Sequence, residues 1–458
     1  MPAALHDKVT EEPRWLGQGT APLFGWLTWA RGAPSRGGVL LAPPIGREAR
    51  GARRALRSIA LDLAARGFVT LRLDYEGTGD SGGEFDGPDR DAAWTASVAA
   101  GVAELRSYGV PAVSAIGMRL GATILAVAAS RHDLGLSSCV LWDPCETGRG
   151  YLRQLRALEA LRREVHDSPD GSVETAEYVF SAEAAASIRR LSLLTDDGAL
   201  ASRLLVVARD DRPLSDGLRA RLGPDVDVRT TSEQGRLLDV DPLAAALPTR
   251  TMASVVAWLA DDPHDAVPCD VPDAERAAHL VVEGASVVER FEELGPNHLF
   301  GVVTEPERDA GGPTMLLLNV AIDEHTGPSR LWVELARRWA AHGLRSVRFD
   351  LRGVGDSPTL DRAISMYDPR WLDDLADVTA AVADDASHTV LVGLCSGAYL
   401  AVEASARLGS GGVCAINPPV GIDFLAATYR LGRVRSLRGV ASWLRTVALR
   451  LRWLSVAL

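Results

Sequence analysis

Gly117-Met118-Arg119-Leu120-Gly121 and Gly393-Leu394-Cys395-Ser396-Gly397 are one pattern met twice, 276 residues apart. Each follows a short apolar run and precedes an Ala-rich helical pattern, so each reads as a sharp turn from a buried strand into a helix. Glycines flank the central residue because side chains there would collide with the neighbouring strand and helix. The central side chain then stands at a helix N-terminus, beside backbone N–H groups able to hold an oxyanion. The surroundings repeat at the same offset. Leu23-Phe24-Gly25 returns as Leu299-Phe300-Gly301, and Asp74, Gly77, Gly79, Asp80 and Ser81 return as Asp350, Gly353, Gly355, Asp356 and Ser357. A period this long reads as a duplicated domain rather than a solenoid.

Around the first turn, short apolar runs at 38–42, 68–73, 112–116, 140–142, 204–208 and 226–229 read as strands. Helical patterns fall at 53–66, about 91–106 and from the turn to Ser130. Strands alternating with helices predict an α/β fold, a mostly parallel sheet flanked by helices, in each copy. The polar, helical stretch at about 151–200 reads as an insertion or cap. The Pro-rich, acidic and aperiodic segment ending at Asp273 reads as a linker. The expected organisation is a first domain over 1–262, a linker over 263–273 and a second, C-terminally curtailed domain over 274–458.

Bulk properties narrow the chemistry. The 458 residues are 47% hydrophobic and 24% charged, an ordinary globular balance with room for two cores. A net charge of −11 argues against a nucleic-acid partner. Lys8 is the only lysine, which removes Schiff-base, pyridoxal phosphate and Walker-loop chemistry from the body of the chain. The five cysteines lack metal-ligand spacing, and neither a secretory signal nor a membrane span is recognisable. These features predict a reduced, cytoplasmic protein with no metal and no cofactor.

With Pro43-Pro44, Glu48, Arg53-Arg54, the Asp74–Ser81 turn and the two Gly-x-x-x-Gly elbows, the chain resembles the α/β-hydrolase superfamily over both copies. Trp142-x-Pro144 and Tyr151-Leu152-Arg153 make it similar, more narrowly, to serine-aminopeptidase-like hydrolases found with exosortase and polysaccharide gene clusters. One branch of that group also carries arginine followed by Leu-Gly at its elbow. The resemblance implies esterase, thioesterase or acyl-transfer chemistry, with nucleophile, acid and histidine in that chain order.

Neither copy holds the usual nucleophile. In the first, the elbow residue is Arg119, whose guanidinium stays protonated and cannot attack a carbonyl. The acid implied by the resemblance is Asp211 (or Asp210), and Ser232-Glu233-Gln234-Gly235-Arg236 contains no histidine where one is implied. The first copy is therefore expected to be non-catalytic, with Arg119 paired to Glu48 or binding an anion. In the second copy Cys395 is central, in a setting that suits a nucleophilic thiol and acyl transfer, the alternative being an inert buried thiol. The Ser396 N–H and the 319–328 loop would hold the oxyanion.

No histidine follows Cys395, the last being His388, so either the sequence is truncated, or the partner groups come from elsewhere, or this copy too is inactive. His325, in Asp323-Glu324-His325-Thr326-Gly327-Pro328, is the candidate base. Glu324 and Arg330 match Glu48 and Arg54 and are expected to brace that loop. Asp80/Ser81 and Asp356/Ser357 are expected to hydrogen-bond locally and cap their turns rather than hold phosphate.

After Asp423 come seven arginines and no acid, while Val440, Leu444, Val447, Leu451, Leu454 and Leu458 share one helix face. This basic amphipathic segment reads as a lid helix packed on its domain, or else as a membrane-surface or protein-docking helix. A curtailed second domain would favour a partner or a homo-oligomer. The whole predicts a Cys395-dependent hydrolase or acyltransferase acting on a small-molecule acyl ester or thioester. The competing class is a non-catalytic pseudohydrolase scaffold or acyl-binding module.

Overall fold

The computed structural model describes residues 9–418, apart from 18–20, 161–170, 176–177, 196–197, 225, 263, 309–310 and 359–367. The arginine-rich segment after Asp423 lies outside the described residues. The chain divides into two compact units, Met1–Leu280 and Val281–Leu458.

The first unit contains strands β1 (Val9–Leu16), β2 (Leu23–Ala30), β3 (Gly37–Ala42), β4 (Phe68–Asp74), β5 (Val113–Met118) and β6 (Ser138–Trp142). After these come a two-stranded ribbon, β7 (Val173–Glu174) and β8 (Val179–Phe180), then β9 (Arg203–Arg209) and β10 (Asp227–Thr231). Its main helices are α1 (Arg47–Ala64), α2 (Arg90–Ser107), α3 (Leu120–His132), α4 (Gly148–Ala160) and α5 (Ala182–Arg190). Shorter α6 (Asp216–Leu222) and α7 (Gln234–Leu238) precede α8 (Thr249–Ala260).

The eight-stranded sheet has the order β1-β2-β4-β3-β5-β6-β9-β10. β2 runs antiparallel to β1 and β4, and the remaining neighbours are parallel. β3 shows why a central strand reads as a continuous apolar run: all six of its residues are buried. Its side chains alternate between two cores. Leu40 packs with Trp94, Val98 and Leu125 of α2 and α3, whereas Val39 and Leu41 pack with Ala55 and Ile59 of α1 and Val255 of α8. The 151–200 stretch is not wholly helical, since the β7–β8 ribbon separates α4 from α5. The described part of the 263–273 segment, from His264 on, runs along the first unit, with Val267 bridged to Ser35 and the Asp270 N–H donating to the Tyr108 carbonyl.

The second sheet contains β11 (Ala277–Val282), β12 (Ala285–Leu294), β13 (Leu299–Pro306), β14 (Thr314–Leu317), β15 (Ser346–Phe349), β16 (Thr389–Leu394) and β17 (Gly412–Ile416). Its helices are α9 (Leu331–Ala341), α10 (Arg370–Val382) and α11 (Ser396–Leu408). The order is β11-β12-β13-β15-β14-β16-β17, so β12 to β17 repeat the order of β1 to β6. Registers repeat as well. Gly25 faces Leu73 as Gly301 faces Phe349, and Val39 faces Ser114 as Met315 faces Val390. Beyond the elbow the correspondence slips by two residues, since Ile116 faces Val140 and Val392 faces Cys414.

A charge cluster also recurs, part-buried in the first unit and buried in the second. Glu11 on β1 binds Arg57 of α1 and Arg72 of β4 at 2.6 and 2.8 Å; Glu289 on β12 binds Arg337 of α9 and Arg348 of β15 at 2.7 and 2.8 Å. Glu289 and Arg348 have fully buried side chains. Stripping water from these charges is offset only because each cluster pairs the charges at hydrogen-bond distance.

Candidate functional site

The two elbows share one backbone conformation. Arg119 has φ 55° and ψ −123°, and Cys395 has φ 52° and ψ −118°. Each donates its N–H to the end of the next strand, Arg119 to the Trp142 carbonyl and Cys395 to the Ile416 carbonyl, both at 2.9 Å. A non-glycine residue at such an angle is strained and is held there by its surroundings. The flanking glycines leave the necessary room: a Cβ on Gly117 would lie 2.5 Å from the Ala122 Cα, and one on Gly397 2.6 Å from the Asn319 carbonyl oxygen. Upstream, Ser81 and Ser357 each accept an N–H from the neighbouring strand, Phe24 and Phe300, and donate to the carbonyls of Asp74 and Asp350. The Asp74 and Asp350 carboxylates accept the N–H groups of Asp80 and Asp356 across each turn.

At the first elbow the guanidinium of Arg119 is buried and bonded through all three of its nitrogens. Its Nε donates to Glu48 at 2.9 Å, Nη2 donates to Gln154 Oε1 at 2.8 Å, and Nη1 meets both the carbonyl and the carboxylate of Asp143 at 3.3 Å. Burial works against its charge, but Glu48 and Asp143 outweigh that and hold its proton firmly. Burial pushes Asp143 up to about 6 in spite of Arg119 and Arg209, and pushes Cys145 up to about 12. Asp211 lies exposed, chelated by Arg209 at 2.6 and 2.7 Å, and that bond draws it down to about 2. Gln234, in the segment where a histidine is implied, is buried and accepts the Trp142 indole N–H at 2.6 Å. Gln154, Asp143 and Arg209 were not singled out from sequence. Asp143 directly follows a strand, but its pairing depends on two distant arginines.

At the second elbow Cys395 is exposed and caps the N-terminus of α11. The opening N–H groups of a helix, Ser396's among them, have no partner within the helix. Ser396 is itself buried, and its hydroxyl accepts the N–H of Ala321 at 2.6 Å. That bond joins the loop after β14 to the elbow.

His325 lies in the same loop and is completely buried. Its Nδ1 donates to Asp350 Oδ2 at 2.8 Å, its backbone N–H donates to Oδ1 at 2.6 Å, and its ring meets Phe300 edge-on at 4.9 Å. Phe300 is on β13 and Cys395 directly follows β16. Three strand spacings separate those strands, about 14 Å. The ring of His325 is thus directed to the β15–β13 side of the loop. The structure brings Ser396 together with the loop and His325 together with Asp350.

The other histidines of this unit are His298, His342 and His388. His388 is at the opposite end of β16, His342 follows α9, and His298 is exposed and bonded to Glu293. Asn319 and Asp350 were missed from sequence as loop-holding residues. Asn319 donates to Asp350 and to the Asp323 carbonyl and accepts the Leu351 N–H. His325, Asp350 and Asp356 place potential metal-ligand atoms within 4.8 Å of one another. Asp350, however, already accepts N–H groups from Asn319, Asp356 and, twice, His325. A carboxylate holding four donors is satisfied without a cation.

No helix among the described residues is long and apolar enough to cross a membrane. Residues 324–457 match the model of the alpha/beta hydrolase family. No curated protein matches the chain. Among solved structures, Est1E from Butyrivibrio proteoclasticus with bound ferulic acid is similar at 12% identity and a TM-score of 0.41, covering 54% of this chain and 98% of its own. A proline iminopeptidase-related protein from Thermus thermophilus is similar at 16% identity and 0.39, covering 56% and 99%. A hypothetical protein from Pseudomonas aeruginosa is similar at 16% and 0.39, covering 56% and 95%. The chain is an α/β protein of two sheets flanked by helices.

Proposed function

We propose that this chain is a hydrolase or acyltransferase acting on an ester or thioester of a small molecule, with Cys395 as nucleophile and the first unit non-catalytic. The carrying observation is the contrast between two elbows of one geometry: at φ 55° the first holds an arginine closed in by ion pairs, while at φ 52° the second holds an exposed thiol. In this reading the Cys395 thiol gives up its proton and its sulfur attacks the acyl carbon. The carbonyl oxygen takes up the electron pair beside the Ser396 N–H; as that pair returns, the bond from the acyl carbon to the leaving oxygen or sulfur breaks, and the alcohol or thiol departs with a proton. Water or an acceptor alcohol, amine or thiol then takes the acyl group from Cys395, and the sulfur regains its proton. His325 serves as a brace for the loop through Asp350. The repeated strand order and registers support reading the two units as copies of one domain, whose first elbow has lost its chemistry.

The test is turnover of p-nitrophenyl esters and of acyl-CoA by the purified chain beside Cys395→Ala and Cys395→Ser. Cys395→Ala is expected to lose turnover by at least about a hundredfold; an alanine variant as fast as the wild type would overturn the proposal. One observation favours the non-catalytic reading, a pseudohydrolase scaffold or acyl-binding module: the committed, buried position of His325. In that case neither substrate turns over, and Cys395→Ala binds them as the wild type does.

A further inference from the structure

The Ser396–Ala321 bond bears directly on the oxyanion. Ala321 belongs to the loop after β14 that faces the elbow, and its N–H is spent on the Ser396 hydroxyl at 2.6 Å. That loop is held on both sides of Ala321. Asn319, two residues before, is tied to Asp350, Asp323 and Leu351; His325, four residues after, is tied twice to Asp350. Ala321 itself has φ 55°. The loop is held by bonds of its own on both sides of Ala321, whereas the Ser396 hydroxyl hangs on a single rotatable bond, so a turn about that bond is the motion that would release the Ala321 N–H. The matching elbow residue in the first unit is Leu120, which has no hydroxyl to offer.

We infer that the Ser396 hydroxyl occupies the loop's oxyanion donor in the resting enzyme, and that an incoming acyl oxygen gains the Ala321 N–H only by displacing it. This rests on the reading of Cys395 as the nucleophile. The hydroxyl acts as a positioning group: it takes no part in bond making, and it sets the barrier to forming the tetrahedral oxyanion. Two reactions of the same sulfur separate this role from ordinary reactivity. Acylation by p-nitrophenyl acetate passes through an oxyanion and releases p-nitrophenolate; alkylation by iodoacetamide displaces iodide and passes through none.

The experiment measures both rates on the full chain, by intact mass, for the wild type, Ser396→Ala, Ser396→Gly and Ser396→Thr, with Cys395→Ala as the background for other thiols. Ser396→Ala and Ser396→Gly are expected to acylate about tenfold faster, the worth of one hydrogen bond released, with alkylation changed by less than about twofold. Ser396→Thr, which keeps the hydroxyl, should restore the wild-type ratio of the two rates. Acylation that is unchanged in both hydroxyl-free variants, or that falls in step with alkylation, overturns the inference and leaves Cys395 as nucleophile intact. If Cys395 alkylates but is acylated in no variant, the nucleophile reading fails as well, and the Ala321 bond is merely a tie between loop and helix.

Discussion

Arg119 stands on the same strained turn as Cys395 and is the centre of a buried ion network. Removing it strands two carboxylates, Glu48 and Asp143, in a site where Asp143 is already raised by burial. Arg119→Met is expected to destabilise the first unit by about 3–5 kcal/mol, the usual cost of leaving a buried charge unpaired. Arg119→Met combined with Glu48→Gln should recover a substantial part of that loss, which denaturant unfolding would measure. Asp143 also makes a pH prediction. Its folded value of about 6 lies above the ordinary 3.8, so the folded state holds the extra proton between those values. Its contribution therefore falls as pH rises from about 4 to about 6. Asp143→Asn should flatten that part of the stability profile. Asp211, drawn down to about 2, acts in the opposite sense and in a lower window, losing its contribution as pH falls below about 4.

The elbow is the element on which both units converge, and its glycines are the sharpest test of it. A Cβ at Gly121 would press into the Pro43 carbonyl, and one at Gly397 would stand 2.6 Å from that of Asn319. Both obstacles are backbone and cannot swing aside. Gly121→Ala and Gly397→Ala are each expected to cost about 3 kcal/mol or more, and Gly397→Ala to slow labelling of Cys395 as the strained turn relaxes. Wild-type stability in either variant would mean that the elbow is looser than its geometry implies. Because this requirement is local, it was legible in the sequence: the Gly-x-x-x-Gly spacing, the turns ending at Ser81 and Ser357, and the apolar strands could all be read before any contact was known. The buried charges could not. Arg72 and Arg348 sit within strands whose apolar neighbours give no hint of a partner, and that partner lies two strands away, on β1 or β12. Likewise His325 was legible as a loop residue beside the elbow, while its attachment to Asp350 depends on how β14 and β15 pair. The β7–β8 ribbon, two residues to a strand, is too short to show a period of two.

Across the whole molecule, the two units are built on the same strand order with separate apolar interiors. In the first, two clusters lie on opposite faces of β3; in the second, Leu316 and Leu318 join one cluster and Leu317 another. A core that closes on itself unfolds as a cooperative body. Scanning calorimetry of the full chain is therefore expected to resolve two transitions, and the substitutions argued above assign them. Arg119→Met should lower one and Gly397→Ala the other, each by about 6–12 °C for a loss of roughly 3 kcal/mol in a unit of this size. Cys395→Ala, which removes an exposed thiol and no packing, should move neither. Its effect would then be confined to turnover, and a loss of activity in that variant could not be ascribed to unfolding. A single transition displaced equally by both substitutions would show instead that the chain folds as one body, and that damage at the closed first elbow reaches the open second one.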